Sequence, residues 1–161
     1  MIIKKANIND LEEILDLQKL AYITEAELYD DFSIEPLRQN IDGIRHEHEK
    51  GIILKAMTDD FTIIGSVRAF KEENEEKIVV FIQKLIVHPD FQNKGVGKTL
   101  LETLENYFMD IDPNIEFKLF TGYKSSKNIY LYKKLGYEEF KLEKISDNLK
   151  FIHFKKNYQK L

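Results

Sequence analysis

A run of strand-forming residues, Ile82 to Val87, is joined to a helical pattern by the segment QNKGVG at residues 92–97. That junction restricts the possible folds more than any other stretch. Two glycines and the flanking Lys94 and Lys98 accompany a stripe of Val96, Leu100, Leu104 and Phe108 at helical spacing. Backbone N–H groups converge at a helix N-terminus, where the macrodipole is positive, and glycine lets the chain turn tightly and approach a ligand closely. The segment therefore reads as a phosphate-holding loop set between a strand and a helix.

The rest of the chain supplies the partners such a unit needs. Ile2 to Lys5 reads as a first strand. Asn7 caps a helix with Asp10 in a capping-box position, and Ile8, Leu11, Ile14, Leu15 and Leu20 carry its stripe to about Tyr22. The acidic stretch TEAELYDDFS, residues 24–33, reads as a loop, and a second helix is expected from Glu35 to Lys50 with Pro36 in its first turn. Strands follow at Ile52–Met57, Phe61–Phe70 and Lys77–Val87, with KEENEE at 71–76 as a hairpin loop. A helix over Gly95–Met109, a strand over Ile115–Thr121 and a helix over Ser126–Leu135 come next, the last stopped by Gly136. Tyr137–Lys144 and Leu149–Lys155 close the chain as two strands. The order is that of a mixed α/β domain, expected to occupy residues 1–161 as one unit.

Composition narrows the function. With no cysteine there is no disulfide, thiolate metal site or cysteine nucleophile. His46 and His48 stand two apart on a helix, about 200° around it, so they cannot share an ion; no metal is expected. The N-terminus does not read as a signal peptide, and no apolar run approaches the roughly 20 residues that cross a bilayer. A cytoplasmic protein without membrane or nucleic-acid partners is expected, as a monomer or homodimer. Residues 1–50 carry 6 Lys and Arg against 12 Asp and Glu, whereas residues 84–161 carry 14 against 10. An acidic first part and a basic last part suit two ligands of opposite charge.

Two familiar phosphate loops are not met by this segment. A nucleoside-triphosphate loop, G-x-x-x-x-G-K-[ST], needs a glycine where Gln92 stands. A dinucleotide loop, G-x-G-x-x-G, needs one at Leu100. The pattern that Gln92-Asn93-Lys94-Gly95-Val96-Gly97 does meet is Q/R-x-x-G-x-G/A. Downstream, residues 125–137 read SSKNIYLYKKLGY. The two motifs in this order, after a capped first helix, resemble the GNAT superfamily of N-acetyltransferases. The resemblance covers most of the chain. It implies a mixed, mostly antiparallel sheet flanked by helices and splayed between its fourth and fifth strands, with acetyl-coenzyme A as cofactor.

By that resemblance, the backbone at Leu85, Ile86 and Val87 pairs with the pantetheine arm, and one N–H polarises the thioester carbonyl. Gln92, Asn93, Lys94, Gly95, Val96, Gly97 and Lys98 hold the pyrophosphate. Asn128 or Ser125, or both, hydrogen-bond the cofactor, and Lys133 and Lys134 are candidates for its 3′-phosphate. Tyr132 matches the tyrosine that protonates the departing thiolate. A phenol near pKa 10 is a suitable donor to a thiolate as basic as that of cysteine, near 8.5.

The acceptor side departs from the family pattern. Some relatives place a carboxylate base on the central strand, but VVFIQKLIV offers Phe81 and Gln83 there. Gln83 can orient a water, or Glu25 or Glu27 can act across the site. Tyr22, Glu25, Glu27 and Tyr29 lie in the segment that walls the acceptor pocket in this fold, and carboxylates with aromatics suit a cationic amine. The expected reaction is acetyl transfer to a small cationic amine in a ternary complex, since no side chain offers itself as a covalent nucleophile. A protein N-terminus or lysine is the alternative acceptor, and a non-catalytic acyl-CoA sensor the alternative function.

Overall fold

The computed structural model describes residues 1–160. Seven strands form one sheet in the order β1-β2-β3-β4-β5-β7-β6. They are β1 (Ile2–Lys5), β2 (Ile52–Met57), β3 (Ile63–Glu73), β4 (Ile78–Val87), β5 (Asn114–Gly122), β6 (Glu138–Lys144) and β7 (Lys150–Gln159). All neighbours are antiparallel except β4 and β5. This is the mixed, mostly antiparallel sheet expected from the sequence.

The helices cover the sheet on two faces because the strands alternate apolar residues on both. On one face, α4 (Val96–Met109) buries Val96, Leu100, Leu101, Leu104 and Phe108 against Leu54, Val67, Val80, Ile82 and Phe117. α5 (Ser126–Lys134) adds Tyr132 to the same cluster. On the other face, α1 (Leu11–Tyr29) and α3 (Ile41–Lys50) bury Leu11, Ile14 and Ile44 against Ile53, Ile63 and Ile86. None of these helices is long and apolar enough to cross a membrane.

The capping box is present: the Asn7 side chain accepts from Asn9 N–H at 2.9 Å, and Asp10 Oδ2 accepts from Asn7 N–H at 2.9 Å. Asp10 Oδ2 also takes the Lys55 ammonium at 2.7 Å, fastening the helix start to β2. The helical stripe differs from expectation, because Ile8 and Leu20 are 58% and 47% exposed while Gln18 is fully buried.

Three boundaries are corrected by the structure. First, α1 does not end near Tyr22 but runs to Tyr29, so most of the expected acidic loop is helix. Glutamate and alanine favour helix, and Ala26 and Tyr29 extend the buried face. Asp30, at φ 48, ends it in the left-handed conformation. Second, the expected helix over 35–50 is broken. A single turn, α2 (Glu35–Arg38), gives way at extended Gln39, and Asn40 caps α3 by accepting from Gly43 N–H at 2.9 Å. Third, Phe61 belongs to a left-handed turn at φ 66, and β3 instead runs on to Glu73 through part of the expected hairpin loop.

The end of α1 is riveted to the end of β5. Tyr29 is 3% exposed, and its hydroxyl accepts from Lys124 N–H at 2.8 Å. Gly122 lies beneath the ring: a Cβ there would sit 2.0 Å from the Tyr29 hydroxyl oxygen. A buried, rigid ring has nowhere to go. Gly122→Ala is therefore expected to destabilise the chain by about 1–3 kcal/mol, the range for overpacking a filled core. Urea unfolding followed by circular dichroism measures this, and an unchanged midpoint would refute the close fit.

Candidate active site

The site begins where two strands part. β4 and β5 pair only from Ile78 opposite Ile115 to Phe81 opposite Lys118. Both strands continue, β4 to Val87 and β5 to Gly122, without each other. The backbone edge of residues 82–87 is thus left open on the β5 side, and a cleft opens between the strands. The splay stands where the sequence reading placed it.

The glycine loop lies at the head of this cleft. Gly95 caps α4 at φ 82 without any side-chain cap, and the first helical hydrogen bond is from Thr99 N–H to Gly95 O at 3.0 Å. The N–H groups of Val96, Gly97 and Lys98 precede that bond, so they have no helical acceptor. A Cβ added at Gly95 would meet nothing within 4 Å; at Gly97 its nearest neighbours are Leu131, Val87 and Leu85 side chains, at 3.7–3.8 Å. Free donors over open space at a positive helix end fit a pyrophosphate. Val96 and Ile86 bury their side chains, leaving only their backbones for a ligand. Gln92 bonds its own chain, donating from Nε2 to Val87 O at 3.3 Å, so it shapes the loop. Lys94 and Lys98 are exposed, the latter 3.8 Å from Glu102, and Asn93 holds a left-handed φ of 61.

Across the cleft, the second motif presents its polar groups. Ser125 Oγ donates to Glu25 Oε2 at 2.6 Å, and Asn128 Nδ2 donates to Thr121 Oγ1 at 3.2 Å. Lys134 is exposed beside the Tyr130 ring, and Lys133 pairs with Glu139 at 3.1 Å. Tyr132 is 5% exposed, its ring packed against Tyr137 at 6.1 Å and Phe154 at 5.7 Å. Burial pushes its phenol well above the usual value, and the nearby Tyr22 and Glu25 push it further the same way. That phenol keeps its proton at neutral pH.

The acidic segment resolves into unlike members. Glu25 is half-buried against Ser125, and desolvation raises its pKa despite the opposing hydrogen bond. Tyr22 is raised too, by burial first. Tyr22, Glu25, Ser125 and Tyr132 therefore share one neighbourhood. Glu27 does not join it: the residue is exposed, about half a turn around α1 from Glu25. Tyr29 serves as the rivet described above. Gln83 is half-buried opposite Arg68 of β3.

One cluster escaped the sequence reading. Arg68, 1% exposed, donates from Nη1 to Glu47 Oε2 at 2.6 Å and to Gln39 Oε1 at 2.9 Å, and from Nη2 to Gln18 Oε1. Lys84 Nζ lies 2.8 Å from Glu47 Oε1 and 3.2 Å from Glu35. This buried charge system stands under the acceptor side, between α1, α2, α3 and the bared strand. The signal was present in VVFIQKLIV: after Val80 and Ile82, alternation requires an apolar residue at 84, and lysine stands there instead.

Strands parted around an open backbone edge, beside an uncapped helix, make up the architecture of N-acetyltransferases. Among solved structures, a phosphinothricin acetyltransferase from Sinorhizobium meliloti in complex with AcCoA superposes with a TM-score of 0.76 at 17% identity, covering 98% of this chain and 88% of that one. The ribosomal-protein-S18-alanine N-acetyltransferase from Escherichia coli gives 0.74 at 14% identity, covering 99% and 95%. At these identities the likeness is one of fold. The chain belongs to the acetyltransferase (GNAT) family, whose model matches residues 11–137. A curated relative, UPF0157 protein YqkA of Bacillus subtilis (strain 168), is 26% identical over 137 residues. That match covers 85% of this chain and 37% of the relative, so the chain spans little more than a third of the relative's length.

The buried cluster makes stability depend on pH. Burial alone would raise Glu47, but hydrogen bonds from Lys84 and Arg68 and their charges outweigh it and hold its carboxyl below the usual range. A carboxylate depressed by folding contributes stability in full above its unfolded value, near 4.3, and loses it as pH falls through the folded value. Glu47→Gln should cost about 3 kcal/mol at pH 7, and progressively less as the pH drops below about 4. Urea unfolding of both proteins across that window measures it. A penalty independent of pH would show that Glu47 is not held ionised.

Proposed function

We propose that this chain transfers an acetyl group from acetyl-coenzyme A to a primary amine, by direct attack within a ternary complex. The observation that carries the reading is the site around Tyr132: a protonated phenol on α5 with a desolvated carboxylate, Glu25, in its neighbourhood, in a fold that leaves the β4 edge open. Acetyl-coenzyme A supplies the thioester whose acyl carbon the amine attacks. The solved relative from Sinorhizobium meliloti holds that molecule, and family membership makes it the first ligand to test here.

The chain's own groups have these proposed roles. Val96, Gly97 and Lys98 offer backbone donors to the pyrophosphate. Residues 85–87 offer their open edge to the pantetheine amides and one N–H to the carbonyl oxygen as negative charge develops there. Glu25 takes the ammonium proton of the acceptor. Its raised pKa makes it a stronger base than an exposed glutamate. Tyr132 gives its proton to the leaving thiolate and takes one in return from the tetrahedral ammonium that attack creates, so the nitrogen loses two protons in all, one to Glu25 and one to the thiol.

For the acceptor, a small cationic amine remains the first reading, drawn by the Glu25 carboxylate and the ring of Tyr22. A specific observation favours a second. Phe120 of β5 and Phe140 of β6 are 42% and 40% exposed and pack with Phe151 and His153 on β7, a strip that leads from the strand bounding the opening across the sheet. An exposed aromatic strip beside a cleft suits a longer acceptor, such as a peptide with a free N-terminus or lysine.

Thiol release from acetyl-coenzyme A against polyamines, amino acids, aminoglycosides and short peptides separates the two. Tyr132→Phe should lower kcat by 10²- to 10⁴-fold, the usual contribution of a positioned acid, while calorimetry shows acetyl-coenzyme A still bound. Binding without turnover toward any amine would make the chain a sensor.

The pH profile tests Glu25. With its pKa raised, kcat/KM should climb with pH through an acidic limb lying above the ordinary glutamate value of about 4.3. Glu25→Gln should lower the rate and abolish that limb. A limb that persists in the variant would assign the base elsewhere.

A further inference from the structure

The deepest irregularity in the sheet lies at Lys84. Gln83 pairs with Arg68 and Ile86 with Ser66, so Lys84 and Leu85 together face Val67 alone. This is a β-bulge, two residues against one. Lys84 holds it at φ 52, in the left-handed region that residues with a side chain avoid.

The bulge shifts the phase of β4 by one residue. Before it, Val80 and Ile82 face α4 in the first core, while Gln83 takes the opposite face, toward Arg68. Regular alternation would return Lys84 to the α4 core. Instead Lys84 shares the α1–α3 side with Gln83, where its ammonium meets Glu47 at 2.8 Å. Leu85 and Val87 then pack against the α4 core within reach of Gly97, and Ile86 enters the second core. Slipping a strand by one residue exchanges its faces. Without the bulge, Ile86 would exchange faces with Leu85 and Val87.

We infer that Lys84 is a positioning residue: its ion pair with Glu47 holds the left-handed bulge, and the bulge sets the phase of residues 85–87 along the cofactor edge. Two forces act together. An ammonium is excluded from the apolar α4 core, and Glu47, itself fixed by Arg68 and Gln39, gives it a buried partner on the other face. Neither force is local to β4. The acceptor-side helix α3 thereby sets the cofactor-side strand. The inference rests on the reading that acetyl-coenzyme A lies along this strand.

The test exploits the different backbone preferences of glycine and methionine. Both Lys84→Gly and Lys84→Met remove the ammonium and with it one of Glu47's buried partners, so both lose thermal stability. Glycine accepts φ 52 without strain, and methionine prefers the regular strand with its side chain in the α4 core. Calorimetric titration with acetyl-coenzyme A should find Lys84→Met about tenfold weaker than wild type, the effect of left-handed strain no longer held. Lys84→Gly should bind several-fold more tightly than Lys84→Met. Equal affinities for the two variants would overturn the inference.

Should Lys84→Met fail to fold, Glu47→Gln takes its place. It should weaken binding when residue 84 is lysine and have much less effect in the Lys84→Gly background. The same loss in both backgrounds would overturn the inference. A wild-type chain that binds no acetyl-coenzyme A would overturn the reading beneath it, and the inference with it.

Discussion

Only four residue pairs of parallel ladder, Ile78–Phe81 against Ile115–Lys118, join the two halves of the sheet. A parallel pair must be linked by a crossover, and here that crossover is α4, which begins at the glycine loop. The constraint places everything else. Because the ladder stops at Phe81, the remainder of β4 has hydrogen-bonding groups on one edge and no strand to receive them. Open edges are usually blunted or covered. Here the edge is recessed in a cleft, with α4 starting at one end and α5 along the far wall. An unsatisfied edge that is sheltered, rather than exposed on the outside of a sheet, can take an extended ligand without inviting another chain. The uncapped donors of α4 and the bared donors of β4 lie on one path because a single connection joins them.

Most of the fold was legible because it rests on local chemistry. The capping box, the apolar stripe of α4 and the strand composition are each readable within a few residues, and the family motifs add their order. What failed to show were tertiary choices. TEAELY carries charges enough for a loop, yet Ala26 and Tyr29 are buried, Tyr29 against Gly122 of β5, and burial decides for helix. Asn40 looks like one polar residue among many in a helical stretch until extended Gln39 makes it a cap.

The glycine loop of the candidate site was legible in the sequence and the buried polar pairs were obscure, for a physical reason. Pyrophosphate binding uses backbone N–H groups, so its signature is glycine spacing, which sequence preserves. The acceptor side is built from side chains that meet across long separations: Glu25 with Ser125, Arg68 with Glu47, Lys84 with Glu35. No local pattern announces such pairs. The sequence reading placed Glu25 and Glu27 together, with Tyr22 and Tyr29, on the acceptor side. In the structure Glu27 and Asp30 face solvent and Glu35 meets Lys84, so Glu25 is the acid that meets the second motif.

That reduction bears on how protons would move in the proposed reaction. A transfer takes two protons from the acceptor's ammonium: one stays on Glu25, and the other reaches the thiol by way of Tyr132. Burial raises both groups, and for both a raised pKa means that the charged form is disfavoured. Phenolate, whose ordinary value already lies near 10, is therefore not a resting state, and Tyr132 ends the transfer protonated. The proton on Glu25 must leave to solvent before the next turnover. The same desolvation that makes Glu25 a stronger base opposes that release. A second free carboxylate beside Glu25 would weaken this arrangement, because like charges would raise Glu25 further and tighten its hold on that proton. Committing the neighbouring acids to Arg68 and Lys84 keeps them away, which links the buried charge cluster to the chemistry it does not touch.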